Sequence, residues 1–203
     1  MSAPVEASPR RGLDRGRALA LLGTLVLVVV AFGLMLWLTS DPERRAALEN
    51  LVRSPIGLVV LFGLAALSSA TLILPAPGLA LTAIAGTAGD PIVVGLVAGL
   101  GQAVGELTGY LAGWSGRTLL PDSTAARRLN GWMERRGTLV IFVFALIPNP
   151  LFDLAGIAAG ALRMPVWRYL GAAAAGKIIK NVIVAGGAST FGALVGSVLA
   201  AAS

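Results

Sequence analysis

The chain is 203 residues long, 56% hydrophobic and only 13% charged, with a formal net charge of +6. A soluble domain carries far more charge, so this is the composition of an integral membrane protein. With no cysteine and no histidine, a disulfide framework, a thiolate nucleophile, a Cys/His metal centre and a histidine general base are excluded.

No nucleophile–base constellation takes their place, so neither an enzyme nor a cofactor is expected. The basic residues flank apolar runs, a pattern that sets membrane topology and attracts anionic lipid rather than nucleic acid.

Residues 1–17, MSAPVEASPRRGLDRGR, form a polar, basic tail. The apolar run 18–38 follows, 21 residues long, which at 1.5 Å per residue matches a hydrocarbon core of about 30 Å. It is longer than a signal-peptide core, and no A-x-A-like cleavage site follows it, so it reads as a retained signal-anchor helix. Next, SDPERRAALENLVRSP offers Asp41 as an N-cap and Leu48, Leu51 and Val52 at helical spacing, a short amphipathic helix at the membrane interface.

The apolar block from Ile56 to Gly89 is interrupted at Leu74–Gly78 by LPAPG, and Asp90-Pro91 separates it from a span over Ile92–Trp114. The polar segment GRTLLPDSTAARRLNGWMERRG reads as a second interfacial helix. A second apolar block, Thr138–Leu162, is interrupted by IPNP. After RMPVWRY comes the final apolar region, Leu170–Ala202, with Gly186-Gly187 as an expected joint.

This order repeats. Pro75 and Pro77 stand 73 residues before Pro148 and Pro150, and Pro91 stands 74 before Pro165. The membrane domain, 41–203, thus divides into repeats at 41–116 and 117–203. Corresponding Pro-interrupted apolar segments point to a transport site built from an internal repeat. The expected fold is an all-α polytopic membrane protein of two inverted repeats, each a Pro-broken re-entrant hairpin followed by a transmembrane helix, plus the anchor.

Orientation follows from the arginines. With two re-entrant hairpins and a cytoplasmic N-terminus, the tail, the 116–137 segment and the RMPVWR turn all face inside. Only Arg44, Arg45 and Arg53 face outside, as the positive-inside bias requires. A full crossing by the first block is the alternative, and so are proline kinks in ordinary helices.

Four ionisable residues lie within the apolar regions: Glu106, Asp153, Lys177 and Lys180. Each costs at least ~2.5–3.5 kcal/mol facing lipid at mid-depth, so each is a candidate functional group. Gln102, Glu106 and Tyr110 share one helix face; Gly101, Gly105, Gly109 and Gly113 form packing steps on its neighbour. Lys177, Lys180 and Asn181 share a face in the other repeat. Because Glu106 and Lys180 occupy equivalent places, they are the expected charge pair. The plainer alternative is that both lysines snorkel to the surface. Asp153 is either the cap of the returning half-helix or a proton- or cation-binding carboxylate, and Asn149 adds a polar group to the same break.

These residues resemble the DedA or VTT-domain family, also called SNARE-associated Golgi proteins, over roughly 56–187. The resemblance rests on PAPG at Pro75–Gly78, the Ala85-Gly86 pair, GELTGYLAG, and IPNPLFDLAGIAAGALRMPVWRYL. GELTGYLAG looks like the family's Gly-Asp/Glu-x-x-x-Tyr-x-x-Gly pattern and places Gly105, Glu106, Tyr110 and Gly113 on it. The chain departs from the bacterial pattern at Leu79, where a glutamate is usual, and at the Ile-Pro element, which has no bracketing arginines.

The resemblance implies two opposed re-entrant hairpins and transbilayer movement of lipids, polyprenyl phosphate or phospholipid. The expected function is therefore a lipid transporter or scramblase of the cytoplasmic membrane. Glu106 and Asp153 would serve protons or opening, Lys177 and Lys180 the headgroup, and membrane lipids would be the partners. Coupling to a proton or cation and assembly as a homo-oligomer stay open. An ion-coupled carrier of a small soluble solute and a non-transporting scaffold are the alternatives.

Overall fold

The computed structural model describes residues 40–70, 76–116, 124–148 and 151–202, and helical backbone at positions 26, 29, 30, 33 and 37. The rest of the expected anchor, 18–38, lies outside the described residues. Among the described residues from 40 onward every regular element is an α-helix. In chain order they are α1 (Pro42–Arg53), α2 (Pro55–Ala70), α3 (Ala76–Ala88), α4 (Pro91–Gly105), α5 (Leu107–Trp114), α6 (Thr124–Leu146), α7 (Leu151–Ala161) and α8 (Val166–Ala202).

Two Asp-Pro pairs start helices by one device. Proline at N1 needs no N–H partner there, and the preceding aspartate accepts from the amides that do. Asp41 Oδ1 accepts from the Glu43 and Arg44 N–H groups at 2.8 and 3.2 Å. Asp90 Oδ1 accepts from Ile92 and Val93 at 2.8 and 3.1 Å. The capping expected at Asp41 is thus present.

Pro55 drives Ser54 into extended backbone (φ −80°, ψ 150°), ending α1. The Ser54 hydroxyl then accepts from Gly57 N–H at 3.0 Å, capping the next helix. The result is a bend of 83° between polar α1 and apolar α2. The second half of the chain bends at the same stage, where α6 leaves helical geometry at Arg136 (φ −146°, ψ 45°), separating its polar first half from its apolar second half.

Two helical stretches are long and apolar enough to cross a membrane: Pro91–Trp114 and Val166–Leu194. They differ in continuity. The first breaks at Glu106, the C-cap of α4 and N-cap of α5. The second runs straight through Gly186-Gly187, so the expected joint there is absent. Gly187 meets nothing within 4 Å and Gly186 only the edge of Pro91; glycine permits a bend, but no packing requires one here.

The core is built by close helix approach. On one side of α4, a Cβ at Gly99 would stand 2.6 Å from the Ile178 Cα in α8. On the other, Gly101 and Gly105 meet the Phe62 and Ala66 carbonyls of α2. Beyond the break, Gly113 of α5 meets the Ile157 carbonyl of α7, and Gly160 of α7 meets the Tyr110 carbonyl. Small residues let backbones touch where lipid supplies no hydrophobic drive. The glycine row expected to dock one helix therefore serves two, Gly101 and Gly105 against α2 and Gly113 against α7.

Helix α7 ends in a Schellman turn. The Met164 N–H donates to the Ala159 carbonyl and the Arg163 N–H to the Gly160 carbonyl, both at 3.0 Å. Arg163 takes the left-handed conformation, φ 56°, that glycine usually fills at this position.

Candidate functional site: a buried polar chain between two long helices

Helices α4 and α8 pack antiparallel, so one turn forward on α4 meets one turn back on α8. This register puts Gln102 against Asn181 and Glu106 against Lys177. Lys177 Nζ donates to Glu106 Oε1 at 2.7 Å, with both residues about 95% buried. The partner of Glu106 is therefore Lys177 and not Lys180, a correction to the repeat-based pairing. Equivalent positions in two repeats touch only near the symmetry axis; contact across antiparallel helices follows the packing register instead.

Asn181, fully buried, uses all its amide capacity. Its Oδ1 accepts from Thr82 Oγ1 at 2.7 Å and from Gln102 Nε2 at 3.1 Å. Its Nδ2 donates to Gln102 Oε1 at 3.1 Å and to the Lys177 carbonyl at 2.7 Å. The chain of bonds continues past the ion pair, where the Tyr169 hydroxyl donates to the Glu106 carbonyl at 3.2 Å. Satisfied in this way, polar groups can remain at membrane depth without the several-kcal/mol cost of orphaned ones.

The N-terminal two turns of α3 and of α7 border this chain at opposite ends. From α3, Thr82 bonds Asn181, and a Cβ at Gly78 would lie 3.0 Å from Gln102 Nε2. From α7, the Phe152 ring sits under Lys177, its centroid 4.6 Å from Nζ. A Cβ at Gly156 would meet the Tyr169 hydroxyl at 3.0 Å.

The other expected site residues are placed as follows. Tyr110 is buried one turn beyond Glu106, but its hydroxyl donates to the Met164 carbonyl rather than to the charged pair. Its ring stacks on Tyr169 with centroids 5.0 Å apart. Asp153 lies half-buried in the first turn of α7, within electrostatic reach of Glu106 and Lys177. It accepts no hydrogen bond among the described residues, so the capping role is not realised; only the favourable end of the helix dipole remains.

Lys180 is also half-buried and forms no ion pair or hydrogen bond among the described residues. Pro148 is exposed just past α6 and Pro77 belongs to the first turn of α3. Pro75, Asn149 and Pro150 lie outside the described residues.

Thr82, Phe152 and Tyr169 escaped sequence reasoning. Tyr169 is one of two tyrosines in the chain, a rarity that marks it, and Thr82 interrupts an otherwise apolar and small-residue run. Phe152 carries no such signal.

An all-α core with a buried charge pair, two membrane-length helices and two broken apolar blocks defines a polytopic membrane protein. A family model described as the VTT domain matches residues 74–190, and the chain belongs to this family. Over 100 residues, 40% of this chain and 24% of the relative, it is 34% identical to vacuole membrane protein KMS2 of Arabidopsis thaliana. Over 104 residues, 40% of this chain and 26% of the relative, it is 33% identical to vacuole membrane protein 1 of Homo sapiens. A shorter match, 51% identical over 43 residues, covers 21% of this chain and 11% of the vacuole membrane protein 1 homolog of Dictyostelium discoideum. The matched regions span about a quarter or less of these relatives' length. No solved structure matches.

Proposed function

We propose that this membrane protein moves an anionic lipid headgroup across the bilayer, with the Glu106–Lys177 pair at the centre of the path. The observation that carries the reading is the position of that pair. It lies well inside both membrane-length helices, between the N-terminal two turns of α3 and α7, the helices that follow each interrupted apolar block. Half-helix ends bordering a charged midpoint are the arrangement of transporter sites, and a buried ion pair is too costly to be kept for stability alone.

In the resting arrangement Lys177 is neutralised by Glu106. An entering phosphate-bearing headgroup competes with that carboxylate for the ammonium, which binds phosphate as a point charge. The released Glu106 can take a proton, and the nearby Asp153 offers a second carboxylate. Lys180 supplies a further cation for the headgroup. The acyl chains stay in lipid throughout.

Reconstitution into liposomes bearing a headgroup-labelled anionic lipid tests this. Inner-leaflet label should become accessible to an impermeant quencher, and K177M should abolish that movement while the purified variant still folds. Uptake of a small solute without lipid movement would instead favour a solute carrier. If neither occurs, or if K177M moves lipid like the parent, the reading fails.

A further inference from the structure

Away from the buried pair, the kink of α6 leaves a cavity of about 610 Å³ against the turn that joins α7 to α8. A space of this size suits a small ligand or headgroup. Three guanidinium side chains line it, Arg135, Arg136 and Arg168, with Glu134 as the one acid. None of the three arginines has an ion-pair or hydrogen-bond partner among the described residues; Arg168 lies over the Trp167 ring at 4.9 Å, which leaves its N–H groups without an acceptor.

The rest of the wall is apolar. Leu139 and Leu162 line the cavity and are 51% and 39% exposed. Leu139 and Val143 continue along α6 and Ile147 follows just past its end, at successive four-residue steps, all exposed. An exposed apolar track leading out of a basic cavity fits a ligand with an anionic head and a hydrocarbon tail. The depth of the cavity is marked too. Trp132 and Trp167, adjacent to its lining, and Trp114, under the Arg163 guanidinium at 4.7 Å, are exposed at this end of the molecule. Such rings sit at the headgroup level of a bilayer.

We infer that this cavity is a docking site for a phosphate-bearing lipid, whose headgroup phosphate is held by Arg135, Arg136 and Arg168 and whose chain lies along the Leu139–Ile147 face. Arginine's planar fork suits a phosphate's oxygens, each capable of a paired, charge-assisted bond. The site is separate from the Glu106–Lys177 pair and does not depend on the transport reading.

Native mass spectrometry of the purified full chain, released from detergent with phosphatidic acid, phosphatidylcholine or inorganic phosphate, tests the site. Phosphatidic acid should be retained in preference to phosphatidylcholine, and R136Q/R168Q should lower its retention about tenfold or more. E134Q, a change on the exposed surface, should raise it. R128Q, at an exposed arginine outside the cavity lining, should leave it unchanged, which separates the cavity's own arginines from the general basic charge of the surface. Equal retention of the two lipids, indifference to both the arginine and the Glu134 changes, or inorganic phosphate held as firmly as phosphatidic acid would overturn the inference.

Discussion

Lys177 Nζ stands 2.7 Å from Glu106 Oε1 and 4.6 Å from the centre of the Phe152 ring, so one ammonium joins α8 to both the α4–α5 junction and α7. Removing either charge strands the other at membrane depth. K177M or E106L alone should destabilise the protein by ~3–5 kcal/mol, and E106L/K177M by much less than the sum, because no buried charge is left unpaired. Thermal unfolding of the four proteins in one detergent measures this; additive losses would show that the two groups do not interact.

Asn181 and Thr82 should differ in consequence. N181L leaves both polar groups of Gln102 and the Thr82 hydroxyl without the partner they now share, whereas T82V removes a single donor that also has the Gly78 carbonyl 2.9 Å away. The expected costs are at least ~2 kcal/mol for N181L and about 1 kcal/mol for T82V. Equal melting temperatures for the two variants would contradict this ranking.

Two glycines with different surroundings should respond oppositely to alanine. At Gly99 the new Cβ would stand 2.6 Å from the Ile178 Cα, so α4 and α8 must separate and the protein should lose stability. At Gly187 nothing lies within 4 Å, and replacing a helix-interior glycine gains roughly 0.5–1 kcal/mol. Thermal melting distinguishes the two, and a stabilised G99A would argue against the close crossing.

Arg163 holds a left-handed backbone (φ 56°) while its guanidinium covers Trp114. Glycine and alanine both remove the ring contact, but only glycine also relieves the backbone. R163G should therefore exceed R163A in stability by about 1 kcal/mol. Indistinguishable chemical-denaturation midpoints for the two variants would contradict the strained turn.

Asp41 supplies a pH-dependent element outside the spans. The Arg44 and then the Glu43 backbone N–H hold its carboxyl below the ordinary carboxylate range. Since its folded pKa is lowered, its support of α1 is present above the ordinary aspartate value and fades as pH falls through the lower one. The α1 amide resonances should follow that titration in the parent protein and lose it in D41N. An unchanged titration in D41N would assign the effect to another group.

Much of the site was legible because polar side chains are scarce in apolar runs. Gln102, Glu106, Lys177 and Asn181 stood out by type, and helical periodicity placed each set on one face. Their pairing was not legible. Whether Glu106 meets Lys177 or Lys180 depends on how two antiparallel helices slide against each other, which glycines such as Gly99 set through contact with α8. Breaks were legible only where proline enforced them. The interruption at Glu106 and the kink at Arg136 contain no proline, and Gly186-Gly187 looked like a joint in a helix that stays whole. Asp153 was visible as a charge, but its side chain makes no capping bond that spacing could have certified.

The interruption between α4 and α5 falls on Glu106 itself, and α5 is clasped to α7 by backbone contacts at Gly113 and Gly160. Charge and the helix interruption thus fall on a single residue. Any exchange at position 106 alters the electrostatics where the backbone passes from one helix to the next. Lys177, in the middle of an unbroken helix, is the cleaner handle, since replacing it changes the charge and leaves that interruption alone.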